Sequence, residues 1–194
     1  MISTTLPSTP TPSYRRMMVF IDGENLAISY QDSLKKGAIP KSGIIHEPNT
    51  YVWHRRTINA ARNEVIRATY YTFAVGDDDK INAISNTIKT LDYVKDGMSS
   101  LPNNLRPFVF KKSKQQERAK GVDIQITVDI LTNVYNNNLD TVYLVTGDGD
   151  FLPIINEIIR HGKHVYLAAF STGLNKKLLN HVDHFIDLDK VYFE

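Results

Sequence analysis

The stretch VTGDGDFLPII, Val145 to Ile155, sets Asp148 and Asp150 among glycines straight after an apolar run. Two like charges this close to the end of a buried strand admit two chemical readings. Either residue can cap a helix starting near Phe151, since a short carboxylate accepts hydrogen bonds from unpaired N–H groups of the first turn. Capping accounts for one aspartate and leaves the second repelling it. A hard divalent cation accounts for both, because Mg²⁺ takes oxygen ligands and keeps several waters, so a few carboxylates suffice. Gly147 and Gly149 would let the backbone bend tightly and approach a substrate closely.

Two other carboxylates occupy comparable places. Asp22 ends the apolar run RMMVFID, and Asp123 lies in KGVDIQITVDIL. At about 100° per residue, Ile124, Ile126, Ile130, Leu131 and Val134 spread over one arc of a helix. Asp123 falls within that arc, where an ionised carboxylate is costly unless paired or bound to a metal. A place in the first helical turn softens the cost, and capping by itself would explain it. Asp129 and Gln125 fall outside the arc, so Asp129 reads as a solvated residue or as a support for a ligand.

The elements that must position these residues alternate along the whole chain. RMMVFID reads as a strand buried on both faces and GENLAISYQDSLKKG as a helix stopped by Gly37. The pattern weakens over 38–63, where YVWHRRTINAARN suggests a short helix. EVIRATYYTFAV, NLRPFVFKKS, DTVYLVTG and KHVYLAAF read as further strands. Helices are expected over DDDKINAISNTIKTLDYVKDG, KGVDIQITVDILTNVYNNN and DFLPIINEIIRHG, with a short one over TGLNKKLLNH. HFIDLDKVYF would close the sheet or lie along its edge. Alternation of this kind predicts a mainly parallel sheet covered by helices on both faces, a three-layer α/β/α sandwich. Ligands of such sheets gather at the carboxyl ends of the strands. Asp22 and the 148/150 pair should therefore share one rim, with Asp123 near it.

FIDGENL, KGVDIQITVD and TGDGDFLPII, in this order, resemble the three acidic motifs of NYN domains, in the PIN-like nuclease superfamily that includes LabA-like proteins. The resemblance covers Met17 to Leu188. It implies a PIN-like (Rossmann-like) α/β/α fold and metal-dependent cleavage of RNA. Asp22, Asp123, Asp148 and Asp150 match the acidic metal-site positions, Asn25 the polar residue after the first Asp, and Thr146 the hydroxyl before GD. The segment 38–63 matches none of the motifs and reads as an insertion in a single domain over 17–194.

Phosphodiester hydrolysis needs an activated water and charge stabilisation at phosphorus, which carboxylate-held metal ions provide. With no cysteine and no histidine pair at helical ligand spacing beside the motifs, Mg²⁺ or Mn²⁺ is the expected cofactor. Asn25 would orient substrate or a metal-bound water, and Thr146 would contact the scissile phosphate. KKSKQQERAKG brings Lys112, Arg118 and Lys120 ahead of the Asp123 helix, a basic approach for RNA phosphates or else a solvated loop. Tyr51 and Trp53 with Arg55 and Arg56 admit stacking on bases, although packing of Trp53 against the sheet is the plainer reading.

The net charge of +2 places partner choice in local patches rather than a global field. Absence of cysteine rules out disulfides and thiolate chemistry and fits a reducing cytoplasm. No stretch approaches the ~20 apolar residues of a membrane span. Residues 1–16, nearly all Ser, Thr and Pro, read as a flexible tail or as a docking segment for another protein or a homodimer. Two rival functions remain at this level. A haloacid-dehalogenase-like phosphatase would use Asp22 as nucleophile, but it wants Asp where Glu24 stands and leaves Asp123 idle. A noncatalytic RNA-binding or regulatory protein could retain the fold, although a binder of polyanions gains nothing from clustered carboxylates.

Overall fold

In a computed structural model, residues 14–61, 63–94, 103–112 and 120–194 are described, without the side chains of residues 112 and 120. The chain runs β1 (Arg15–Asp22), α1 (Gly23–Lys35), β2 (Ile45–Glu47), β3 (Tyr51–Trp53), β4 (Asn63–Val75) and α2 (Asp78–Thr90). It continues with β5 (Arg106–Lys112), α3 (Lys120–Tyr135), β6 (Thr141–Val145), α4 (Leu152–Arg160), β7 (His164–Ala169), β8 (His184–Asp187) and α5 (Asp189–Tyr192). Single 3₁₀ turns cover Gly149–Phe151 and Lys176–Asn180.

Six strands form one sheet in the order β5-β4-β1-β6-β7-β8, and every pair is parallel. Alternation along β1 explains the layering. Met17, Val19 and Ile21 face one core with Leu26 and Tyr30 of α1 and Ile84 and Ile88 of α2. Met18 and Phe20 face the other, with Ile126 and Ile130 of α3 and Ile155 and Ile158 of α4. The result is the expected α/β/α sandwich. β1 begins at Arg15, inside the stretch read as tail, and residues 1–13 lie outside the described ones.

Three local expectations differ from the structure. Within YVWHRRTINAARN, read as a short helix, Tyr51–Trp53 is instead strand β3, which forms an antiparallel hairpin with β2. Tyrosines of the main sheet hold this region from beneath: the Tyr70 hydroxyl accepts from the Val52 N–H at 3.1 Å, and the Tyr143 hydroxyl donates to the Thr57 carbonyl at 2.7 Å. Trp53 is 1% exposed and donates from its indole to the Asp92 carbonyl at 2.8 Å, so it packs and offers no face to a base. Next, α2 stops at Thr90, because Leu91 turns extended and Asp92 bridges to Asn104. Finally, α3 buries Val122, Ile126, Ile130 and Val134, a strict i, i+4 row, and leaves Ile124 63% exposed. Asp123, next to that row, is exposed, so burial of its charge is not the problem that the broader arc implied.

Candidate functional site

β1 has β4 on one side and β6 on the other, and the chain reaches them through helices on opposite faces. The strand order therefore reverses beside β1, and the crevice at the carboxyl ends of β1 and β6 is the place where such sheets bind ligands. Asp22 ends β1 and caps α1, accepting the Asn25 N–H on Oδ1 at 3.1 Å. Its Oδ2 accepts the Thr146 hydroxyl at 2.9 Å, from the residue that follows β6. The same hydroxyl oxygen accepts the Asp148 N–H at 3.2 Å. One threonine thus couples the two acidic corners. Expected to meet a phosphate, it is 1% exposed and engaged with the protein at both ends.

Asn25 and Asn175 clamp the Gly147 peptide between them. The Asn25 Oδ1 accepts its N–H at 2.8 Å, and the Asn175 N–H donates to its carbonyl at 2.9 Å. A Cβ on Gly147 would stand 2.7 Å from the Gly173 carbonyl oxygen, so the glycine serves close packing of the loop 171–175. Asp148 accepts the Asp150 N–H at 2.9 Å and caps the turn Gly149–Phe151. Capping thus describes Asp148, while Asp150 is exposed and its carboxylate has no partner among the described residues.

Asp22 is the electrostatic centre of the arrangement. It is 3% exposed, and burial pushes its carboxyl up to about 7, against the opposing hydrogen bonds from Asn25 and Thr146. The charges of Asp123 and Glu24 raise it further. No Lys, Arg or His among the described residues pairs with it. Its two hydrogen-bonded, buried oxygens make it a poor nucleophile, which gives the phosphatase reading no support.

The structure brings together Asp22, Asn25, Thr146 and Asp148 by hydrogen bonds, and Asp123 through its field. It does not bring the four aspartates into a preassembled cage: among the described residues, no three His, Asp or Glu side chains form a group that could hold a metal ion as they stand. Asp129 lies away from this network, accepting the Tyr71 hydroxyl at 2.7 Å and the Gln125 amide at 2.9 Å. Lys112 ends β5 and Lys120 opens α3, both at the carboxyl end of the sheet, and Arg118 lies outside the described residues. Sequence reasoning missed two participants. Glu24 was legible in DGEN as a third acid beside Asp22 and was weighed only against a phosphatase. Asn175 carried no signal, since its contact with Gly147 spans 28 residues through the fold.

The NYN domain family model matches residues 16–189. An uncharacterized protein of Methanocaldococcus jannaschii is 35% identical over 74 residues, which cover 38% of this chain and 31% of that protein. Low amplitude and bright protein LabA of Synechococcus elongatus is 24% identical over 186 residues, covering 91% of this chain and 85% of LabA. The crystal structure of a protein of unknown function from Vibrio parahaemolyticus superposes with a TM-score of 0.62 at 19% identity, covering 96% of this chain and all of that one. That likeness is one of fold. With the family model spanning both acidic corners and the helix that carries Asp123, the chain belongs to the NYN domain family of the PIN-like, LabA-like superfamily.

Proposed function

We propose that the protein is a metal-dependent ribonuclease that hydrolyses RNA phosphodiester bonds with water, acting endonucleolytically. The observation that carries this reading is Asp22: a buried carboxyl pushed up to about 7, without a cationic partner among the described residues, at the switch point of the parallel sheet in an NYN fold. Perturbed acids in a cleft are candidate functional groups because the fold stabilises their charge only when something binds.

The donors suit Mg²⁺ or Mn²⁺ in kind, being all carboxylate oxygens in a chain without cysteine. Asp22, Asp123, Asp148 and Asp150 would hold the ion. A ready-made protein cage is not a requirement for Mg²⁺, which is commonly bound by one or two carboxylates together with waters and substrate phosphates. When bound, such an ion polarises the phosphoryl oxygen and lowers the pKa of a coordinated water. The chain's own contribution is positioning and proton balance. Thr146 locks the Asp22 rotamer, Asn25 and Asn175 hold the 147–150 corner, and the raised Asp22 carboxyl would give up its proton more readily with a cation held beside it. Lys112 and Lys120, where β5 ends and α3 begins, and Arg118 from the sequence between them would contact RNA phosphates without reading sequence.

Incubation of the purified protein with structured and unstructured RNAs in Mg²⁺, Mn²⁺ or EDTA tests the proposal. Cleavage should need the divalent ion and disappear in Asp22→Asn. Cleavage that survives both EDTA and that substitution would point to another mechanism. The dispersed acids favour one second reading, a noncatalytic RNA-binding or regulatory NYN protein. It predicts no rise in melting temperature on adding Mn²⁺, and RNA binding that Asp148→Asn leaves unchanged.

A further inference from the structure

Away from the acidic corner, the described residues leave the α3 side of the sheet partly uncovered over β4 and β5. Tyr71 and Phe108 are cross-strand partners there, as are Thr69 and Arg106. The ring of Phe108 lies 5.8 Å from Tyr71 at 25° and 4.9 Å from Phe110 at 35°, and Phe108 is 38% exposed. A register shift opposite Met17 and Met18 pairs Arg67 with Met18, whose side chain belongs to the α3-side core. Beyond this bulge the strand alternates regularly, so Arg67 shares a face with Thr69 and Tyr71, whereas Val65 before it faces the other core. Arg67 and Arg106 are both exposed, and neither makes an ion pair among the described residues. With Phe108, Tyr71 and Asp129 they line a cleft of about 200 Å³.

We infer that this face is a binding platform for single-stranded RNA, with a base stacked on Phe108 and backbone phosphates held by Arg67 and Arg106. The inference rests on the ribonuclease reading and extends it to substrate class. Aromatic rings on an open sheet with neighbouring arginines suit unstacked bases joined by a polyanionic backbone. A duplex keeps its bases stacked and cannot use the ring. Among the described residues the only carboxylate lining the cleft, Asp129, is engaged by Tyr71 and Gln125, which fixes the Tyr71 ring and leaves the two arginines as the available charge.

The platform also leads to the acidic crevice. Tyr71 is the register partner of Asp22, and adjacent strands lie ~4.8 Å apart. Phe110 supports the first turn of α3 at Gly121, two residues before Asp123. From Phe110 down to Arg106 the strand covers about 13 Å, a track running away from the rim along the strands. A strand lying on it would present a phosphodiester to Asp22 and Asp123.

Binding of a fluorescein-labelled, unstructured single-stranded RNA, followed by anisotropy in EDTA, separates this inference from catalysis. Phe108→Ala should weaken binding roughly tenfold, and Phe108→Tyr should restore it. The double substitution of Arg67 and Arg106 to Gln, at exposed positions, should lower the slope of log affinity against log salt by about 1.4. Duplex RNA should respond to neither. Wild-type protein that cleaves RNA while these variants bind it unchanged would overturn the platform and leave the nuclease intact. Phe108-dependent binding without cleavage in Mg²⁺ or Mn²⁺ would support the platform and sink the nuclease. Absence of RNA binding overturns the inference, as does a dimer lost in Phe108→Ala with RNA binding unaltered.

Discussion

Asp22 and Asp140 stand at opposite ends of the same strand pair, β1 and β6, and the fold treats their charges in opposite ways. Asp140 precedes β6 and meets Arg16 of β1, which donates from its backbone N–H at 2.8 Å and from its guanidinium at 2.8 and 3.1 Å. The Arg16 bonds hold the Asp140 carboxyl down at about 2. Asp22 receives a backbone N–H and a hydroxyl but no cation among the described residues, and burial lifts it to about 7. One end of the sheet closes its electrostatics internally; the other leaves an acid in want of a positive charge. That asymmetry separates an acid that clips two strands together from one whose charge no cationic side chain of the described residues balances.

The largest test of this contrast is activity. Asp22→Asn should lower RNA cleavage by about 10³-fold, several kcal/mol of lost charge stabilisation, whereas Asp140→Asn should leave the turnover rate unchanged. Equal losses in both variants would erase the distinction.

Stability should move the other way. The Asp22 carboxyl binds its proton more tightly in the folded chain, so the stability it contributes is intact below its ordinary value of 3.8 and lost as pH rises through about 7. Asp22→Asn keeps the cap on its amide oxygen and can donate its amide N–H to the Thr146 oxygen, so in EDTA at pH 8 it should be more stable than wild type, by about 4 kcal/mol at most. Denaturant melts at pH 4 and pH 8 measure this, and a gain that persists at pH 4 would show that the cause is not the charge.

The backbone clamp offers a middle-sized effect. Gly147→Ala must push the loop 171–175 away, costing about 1–3 kcal/mol of stability, and should lower cleavage through displacement of Asp148. Unchanged melting and activity would mean that the 147–175 contact positions nothing.

The smallest effect belongs to the paired end. Asp140 and Arg16 are more than a third exposed, so solvent screening keeps the contribution of the pair small. The depressed carboxyl contributes above 3.8, and its contribution fades as pH falls through about 2. Urea melts of Asp140→Asn at pH 7 and pH 2.5 should show a deficit at the first and a much smaller one at the second.

Much of this architecture is legible in local patterns. Runs such as MMVFI and TVYLV can only be strands buried on both faces, and the acid or glycine that ends each marks the sheet's carboxyl edge. The capping geometry of Asp22, Asp77 and Asp148 likewise follows from short acids ahead of helical turns. The hairpin at 45–53 was not legible, because three-residue strands carry too little periodicity and the burial of β3 comes from α1 and the tyrosines beneath. Nor was the orientation of α3, whose buried row is one of several apolar rows that the helix offers.

Residue order alone determined the strand–helix alternation and put acids at the carboxyl ends of β1 and β6, since side-chain period and cap chemistry act over a few neighbours. Only the folded chain decided that Thr146 would lock Asp22 and that Asn175 would clamp Gly147. It also set the bulge that puts Val65 and Arg67 on opposite faces and, among the described residues, left Asp22 without the kind of partner that Asp140 has. Those outcomes depend on contacts between segments far apart in the chain, and on a desolvation of Asp22 that exists only once the core has closed around it.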